Sequence, residues 1–210
     1  MTRAAAIKHG YTSGARTLAS RSVTGLTRTR VTPNALTTSG VLLCGAASVL
    51  VLFESHDELL VYWLAALVFV VGSLLDILDG ALARAGGKTT PFGAFLDSTT
   101  DRISEGFMLA AIAYVLASQH RPVFVAVAMA AVAGSFLVSY TRAKAEAIGL
   151  RGDVGIGSRA ERVVVITAGL VLAPWGVLPW SLVLLACTAW ITVGQRVLHV
   201  RKQLMEASSE

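Results

Sequence analysis

Charge is scarce in this sequence. Asp, Glu, Lys and Arg make up 15% of its 210 residues while hydrophobic residues make up 54%, and the mean hydropathy is +0.65. A soluble globular domain carries about 25% charged residues, so the shortage excludes that class and points to a bilayer. Cysteine is scarcer still: Cys44 and Cys187 both sit in apolar runs with no metal-type spacing, which excludes a disulfide framework and a zinc site. The four histidines, at positions 9, 56, 120 and 199, are scattered and receive no role. Acidic residues are missing from positions 1–53, where six bases occur. No internal repeat is visible.

What is present is a series of long uncharged runs. A helix needs roughly 20 apolar residues to cross about 30 Å of hydrocarbon. Residues 31–53 form a 23-residue run between Arg30 and Glu54, and residues 59–75 follow after a short polar turn. A third span is predicted over about 95–118, with carboxylates in its first turns, and a fourth over 122 to about 147, with bases in its last turns. Residues 163–195 hold no charge over 33 positions, interrupted by Pro174-Trp175-Gly176-Val177-Leu178-Pro179. Two spans joined by that turn fit the run.

Six spans are therefore predicted, and the bases support the count, because Lys and Arg concentrate in cytoplasmic loops. With the N-terminus inside, Arg121 alone of the 18 bases falls outside. An odd number of spans would break this alternation. No cleavable signal peptide is expected, since the first apolar run begins only near residue 35. In the basic N-terminal segment, Tyr11, Ala15, Leu18 and Leu26 recur at roughly helical spacing. That pattern suits an amphipathic helix lying on the anionic inner leaflet, and a disordered basic tail is the competing reading.

The chemistry is concentrated in Asp76-Ile77-Leu78-Asp79-Gly80-Ala81-Leu82-Ala83-Arg84 and Gly93-Ala94-Phe95-Leu96-Asp97-Ser98-Thr99-Thr100-Asp101. Asp76 and Asp79 are three apart and Asp97 and Asp101 four apart, so each pair projects from one face of its helix. The turn around Gly86-Gly87 and Pro91 folds the two helices antiparallel, so that all four carboxylates are expected to converge near the cytoplasmic boundary. Aspartates at helix ends are commonly caps or surface charges. Here Asp76 and Asp79 continue an apolar span, where an acid costs roughly 2.5 to 3.5 kcal/mol at the helix centre and less near the interface. Clustering four like charges adds repulsion that a hard divalent cation removes, Mg²⁺ or in its place Mn²⁺. Such a site suits phosphoryl chemistry on a diphosphate. Gly80 and Ala83 would admit a nucleotide to the helix backbone or serve close helix packing, and Arg84 could pair with a phosphate.

Asp76-x2-Asp79-Gly80-x2-Ala83-Arg84-x8-Gly93-x3-Asp97-x3-Asp101 resembles the complete signature of the CDP-alcohol phosphotransferase family. The predicted spans and the upstream Thr32-Pro33-Asn34-Ala35-Leu36-Thr37 are similar to that family as well. The resemblance implies that Asp76, Asp79, Asp97 and Asp101 bind the metals, with Asp101 also the base that takes the proton from the acceptor hydroxyl. It implies that Asn34, Thr37, Gly80, Arg84 and Thr90 contact a CDP-diacylglycerol donor. It also implies a homodimer.

A second, basic cluster bears on the acceptor. Ser139-Tyr140-Thr141-Arg142-Ala143-Lys144-Ala145-Glu146-Ala147-Ile148-Gly149-Leu150-Arg151-Gly152 runs on to Arg159-Ala160-Glu161-Arg162, and Arg196 ends the last span. Loop bases usually report only orientation in the membrane. These extend or open spans, so they can face the cytoplasmic mouth and suit an acceptor that carries its own phosphate. The region is similar to the actinobacterial phosphatidylinositol-phosphate synthase subfamily. By that likeness Arg142, Lys144, Arg159, Arg162 and Arg196 bind inositol 1-phosphate. It departs from the subfamily in reading Arg then Lys in the first run, and Ser158-Arg159-Ala160-Glu161-Arg162 in the second.

The expectation is an all-α polytopic membrane protein with six transmembrane helices and a short N-terminal juxtamembrane amphipathic helix. Residues 1–34 form the basic segment, 35–199 the membrane domain and 200–210 a cytoplasmic tail. Both termini and the active site face the cytoplasm at the cell membrane, the other partner is membrane lipid, and nucleic acid is not a partner. Phosphatidylglycerophosphate synthesis from glycerol 3-phosphate is the competing enzyme activity, and a divalent-cation transporter the competing class.

Overall fold

The computed structural model describes residues 32–87 and 89–207, so nearly all of the expected N-terminal interfacial helix lies outside the described residues. Among the described residues six α-helices follow one another: α1 Pro33–Val51, α2 Glu58–Ala85, α3 Pro91–Ser118, α4 Pro122–Ala147, α5 Arg159–Val171 and α6 Leu178–Ala207, with a 3₁₀ turn at Ala173–Trp175 before α6. No strand occurs among the described residues, as the all-α reading anticipates. Helices α1, α2, α4 and α6 are long and apolar enough to cross a membrane. Helix α3 is 28 residues long but carries Asp97, Asp101, Arg102 and Glu105. Helix α5 has 13 residues, about 20 Å at 1.5 Å per residue. The uncharged run 163–195 therefore divides at the expected turn, but unequally.

Local chemistry sets the boundaries. Thr32 precedes Pro33 at the start of α1 and Thr90 precedes Pro91 at the start of α3, each pairing a capping hydroxyl with proline at the first helical position. Thr32 Oγ1 accepts from the Ala35 N–H at 3.3 Å, and Thr90 Oγ1 from the Gly93 N–H at 3.0 Å. Gly87, with φ +61°, ends the α2 turn in a conformation that favours glycine. Ser158 caps α5 in a reciprocal box with Glu161. Pro174 and Gly176, at φ +75°, stop that helix, which is why it is short.

The described chain forms two compact units. The first comprises residues 32–43 and 71–101. Here α1 and α2 approach so closely that a Cβ on Gly40 would stand 2.8 Å from the Gly72 carbonyl oxygen and 3.5 Å from Asp76 Cβ. Leu36 and Leu82 form its small buried apolar cluster, flanked by Leu75 and Ala81. The second unit comprises residues 44–70 and 102–207. Tyr62, Phe69, Met108, Leu109, Ile112 and Leu185 are among the side chains of its continuous core. Helices α4 and α6 meet where a Cβ on Gly134 would fall 2.9 Å from Ala189 Cβ, and the Trp190 indole N–H donates to the Ala130 carbonyl at 3.0 Å.

One face of α6 grips the loop between α4 and α5. Thr192 Oγ1 accepts from the Gly157 N–H at 2.9 Å, and Arg196 Nε donates to the Val154 carbonyl at 2.9 Å. The Gln203 amide both accepts from the Arg151 N–H at 3.0 Å and donates to the Arg151 carbonyl at 2.9 Å.

Candidate active site

In the first unit, the last turns of α2 and the first turns of α3 carry the four aspartates. Asp76, Asp97 and Asp101 each offer a carboxylate oxygen within 4.8 Å of the others. Asp79 is not in that trio. It is 3% exposed, its Oδ2 accepts from the Thr37 hydroxyl of α1, and its Oδ1 is buried with no hydrogen-bond partner. The expectation of four converging carboxylates thus resolves into three in a cluster and a fourth one helical turn on, held by Thr37.

The donor set fits a hard divalent cation. Asp76 is 4% exposed, so two of the four carboxylates are taken out of water. Like charges so placed are costly unless a cation or protons offset them. An orphaned buried carboxylate oxygen beside three clustered ones, with no nitrogen or sulfur donor among them, matches the all-oxygen preference of Mg²⁺ or Mn²⁺.

A cavity of about 360 Å³ lies beside the aspartates within this unit. Asn34, Thr37, Gly80, Arg84 and Thr90 all line it, together with Asp79 and Asp97. The first turns of α1 and α3 border it, and helix N-termini favour anions through their N–H groups and dipoles. Two signature glycines acquire local reasons. A Cβ on Gly80 would stand 3.3 Å from Arg84 Nη1, so Gly80 leaves room for the guanidinium one turn on. A Cβ on Gly93 would stand 3.1 Å from Thr90 Oγ1, so Gly93 lets the capping hydroxyl close. The Thr90 hydroxyl oxygen accepts in that cap and keeps its own proton to donate.

The five basic residues expected at the acceptor all lie in the second unit. Arg142 pairs with Glu146 at 2.8 Å on the surface, and Lys144 is exposed. Arg159 opens α5. Arg196 is buried, donating to the carbonyls of Val154 and Val138. Arg162 is buried against Glu105: Nε donates to Oε1 at 2.8 Å and Nη2 to Oε2 at 2.9 Å, while Nη1 donates to the Gly157 carbonyl at 2.8 Å. Sequence reasoning had passed over Glu105. Its signal was an acid four residues beyond Asp101, at the head of an otherwise apolar helical stretch.

Comparison with known proteins agrees with this geometry. The profile of the CDP-alcohol phosphatidyltransferase family matches residues 30–195. An archaetidylinositol phosphate synthase of Pyrococcus horikoshii is 37% identical over 175 residues, covering 83% of this chain and 86% of that protein. The crystal structure of Mycobacterium tuberculosis phosphatidylinositol phosphate synthase with CDP-DAG bound is 32% identical and superposes with a TM-score of 0.77, over 87% of this chain and 92% of that one. The same enzyme in complex with manganese and citrate is 34% identical with a TM-score of 0.76, over 87% and 88% of the two chains. By sequence signature, family profile and fold, the chain belongs to the CDP-alcohol phosphatidyltransferase family.

Proposed function

We propose that the protein transfers the phosphatidyl group of CDP-diacylglycerol to a hydroxyl of inositol 1-phosphate, forming phosphatidylinositol phosphate and releasing CMP. The observation that carries the reading is the cavity of the first unit. All five residues expected to touch a CDP-lipid line it, and Asp97 belongs both to its wall and to the carboxylate trio. The named relatives support the acceptor, since their products differ in lipid but share inositol phosphate.

Asp76, Asp79, Asp97 and Asp101 would hold Mg²⁺, with Mn²⁺ as a substitute. A bound cation there offsets negative charge on a pyrophosphate and on the CMP that leaves. Arg84 pairs with a phosphate of the CDP-lipid, Asn34 and Thr90 donate hydrogen bonds to it, and Thr37 fixes Asp79. Asp101 takes the proton of the acceptor hydroxyl as that oxygen bonds to the lipid-bearing phosphorus and the bond to CMP breaks. Arg142, Lys144, Arg159, Arg162 and Arg196 bind the acceptor phosphate.

The membrane arrangement belongs to the same proposal. Six spans, with both termini and the active site cytoplasmic, leave Arg121 as the single base on the outer side. Helices α3 and the short α5 join the four strongly apolar helices as spans, the charges of α3 serving the metal site and the pair with Arg162. The basic N-terminal segment lies on the inner leaflet, and the working form is a homodimer.

The test is an assay of purified protein with CDP-diacylglycerol, Mg²⁺ and a panel of inositol 1-phosphate, glycerol 3-phosphate, inositol and serine, scoring CMP and lipid product. Inositol 1-phosphate is expected to be used best. A preference for glycerol 3-phosphate would replace the acceptor, and metal flux into liposomes without CMP release would overturn the whole reading.

A further inference from the structure

We propose that Glu105 is a positioning residue for the acceptor's phosphate, holding the Arg162 guanidinium in one orientation with two N–H groups left to donate. The inference rests on the reading that the acceptor is a phosphate ester.

Arginine has five N–H donors in a planar fork. In this structure three are engaged. The edge formed by Nε and Nη2 meets both oxygens of Glu105, at 2.8 and 2.9 Å, and one Nη1 hydrogen goes to the Gly157 carbonyl at 2.8 Å. One N–H on Nη1 and one on Nη2 remain. The Gly157 carbonyl is itself fixed, because the same residue donates its N–H to Thr192 at 2.9 Å. A Cβ on Gly157 would stand 2.9 Å from Thr192 Oγ1, so a larger residue there would displace the hydroxyl that fixes this loop. The guanidinium is therefore held from α3 on one edge and from the α4–α5 loop on another.

The pair is buried, with side chains 6% and 9% exposed. A buried ion pair gives little stability over apolar residues of the same size, so stability does not account for it. Its formal charges cancel, which leaves Arg162 little long-range attraction for an anion. What Glu105 confers on Arg162 is direction: a rigid pair of donors set before the ligand arrives. Lysine could not be locked in this way, because its ammonium offers rotatable donors on a flexible stem. A fixed two-donor fork favours an acceptor with phosphate oxygens to match it over an unphosphorylated alcohol.

The experiment compares wild type with Glu105→Gln and Glu105→Asp in detergent. It measures kcat, KM for inositol 1-phosphate, KM for CDP-diacylglycerol and the melting temperature. Glu105→Gln keeps the shape and removes the charge, while Glu105→Asp keeps the charge and withdraws the carboxylate by one methylene. Loss of a charge-assisted hydrogen bond of this kind is expected to raise the acceptor KM about 10- to 100-fold, with the CDP-diacylglycerol KM within about twofold of wild type. Preference for phosphorylated over free inositol should fall in parallel. A lower melting temperature with an unchanged acceptor KM, an equal rise in both KM values, or failure of both variants to fold would assign the pair a purely structural role and overturn the proposal. If wild type itself does not use inositol 1-phosphate, the acceptor reading is what has failed, and that result is visible before any variant is made.

Discussion

At the scale of single residues, the site divides into groups that act on the substrate and groups that hold others still. Asp101 is the proposed base, and a positioned base contributes about 10²- to 10⁴-fold to rate. Asp101→Asn should therefore lower CMP release by that order while CDP-diacylglycerol still binds, and near-normal release would remove the assignment. In the proposed mechanism Thr37 acts through Asp79. Thr37→Val deletes the hydroxyl that Asp79 accepts from, and a lost hydrogen bond to a charged group costs about 1.5 to 3 kcal/mol. The expected readout is at least a tenfold rise in the CDP-diacylglycerol KM with the acceptor KM unchanged. Gly80→Ala puts a methyl 3.3 Å from Arg84 Nη1, whereas Gly45 has open space around its would-be Cβ. Steady-state kinetics should show a raised CDP-diacylglycerol KM for the first substitution and wild-type behaviour for Gly45→Ala.

At the scale of elements, the close crossing of α1 and α2 carries its own test. The neighbour of a Cβ at Gly40 is a backbone oxygen, which cannot step aside as a flexible side chain can. Overpacking of this kind costs about 1 to 3 kcal/mol, so Gly40→Ala should melt earlier in detergent than Gly45→Ala. Much of the element pattern was legible in the sequence, because proline, glycine and capping hydroxyls act locally. Thr32-Pro33, Thr90-Pro91 and Pro174 to Gly176 stand at helix boundaries, and the aspartate spacings already implied two faces. The length of α5 was hidden, since an uncharged run reports its total and not its division. The separation of Asp79 from the trio was hidden too, because it depends on a hydroxyl 42 positions away in the chain. Glu105 escaped notice for the same reason: its partner is 57 positions distant, and no local pattern announces that distance.

At the scale of the whole molecule, the proposed orientation and the metal each make a prediction. In a cysteine-free background, Ser55→Cys should react with a membrane-impermeant maleimide added outside intact cells, and Arg151→Cys only after permeabilisation. Reaction of both from the same side would contradict six spans. Chelation with EDTA should stop CMP release, and Mg²⁺ or Mn²⁺ should restore it. Recovery without any added cation would show that the carboxylates work unaided.

The bridge between Gln203 and Arg151 joins positions 52 apart in the chain. A ribosome makes the α4–α5 loop first, and the residue that fastens it comes many codons later. A message broken shortly before codon 203 would still encode every aspartate and every residue of the cavity, yet its product would lack the last of the three fastenings on that loop. The α4–α5 loop gains this fastening only once codon 203 has been read, so, on the proposed acceptor reading, products truncated before it should retain the nucleotide half of the chemistry longer than the acceptor half.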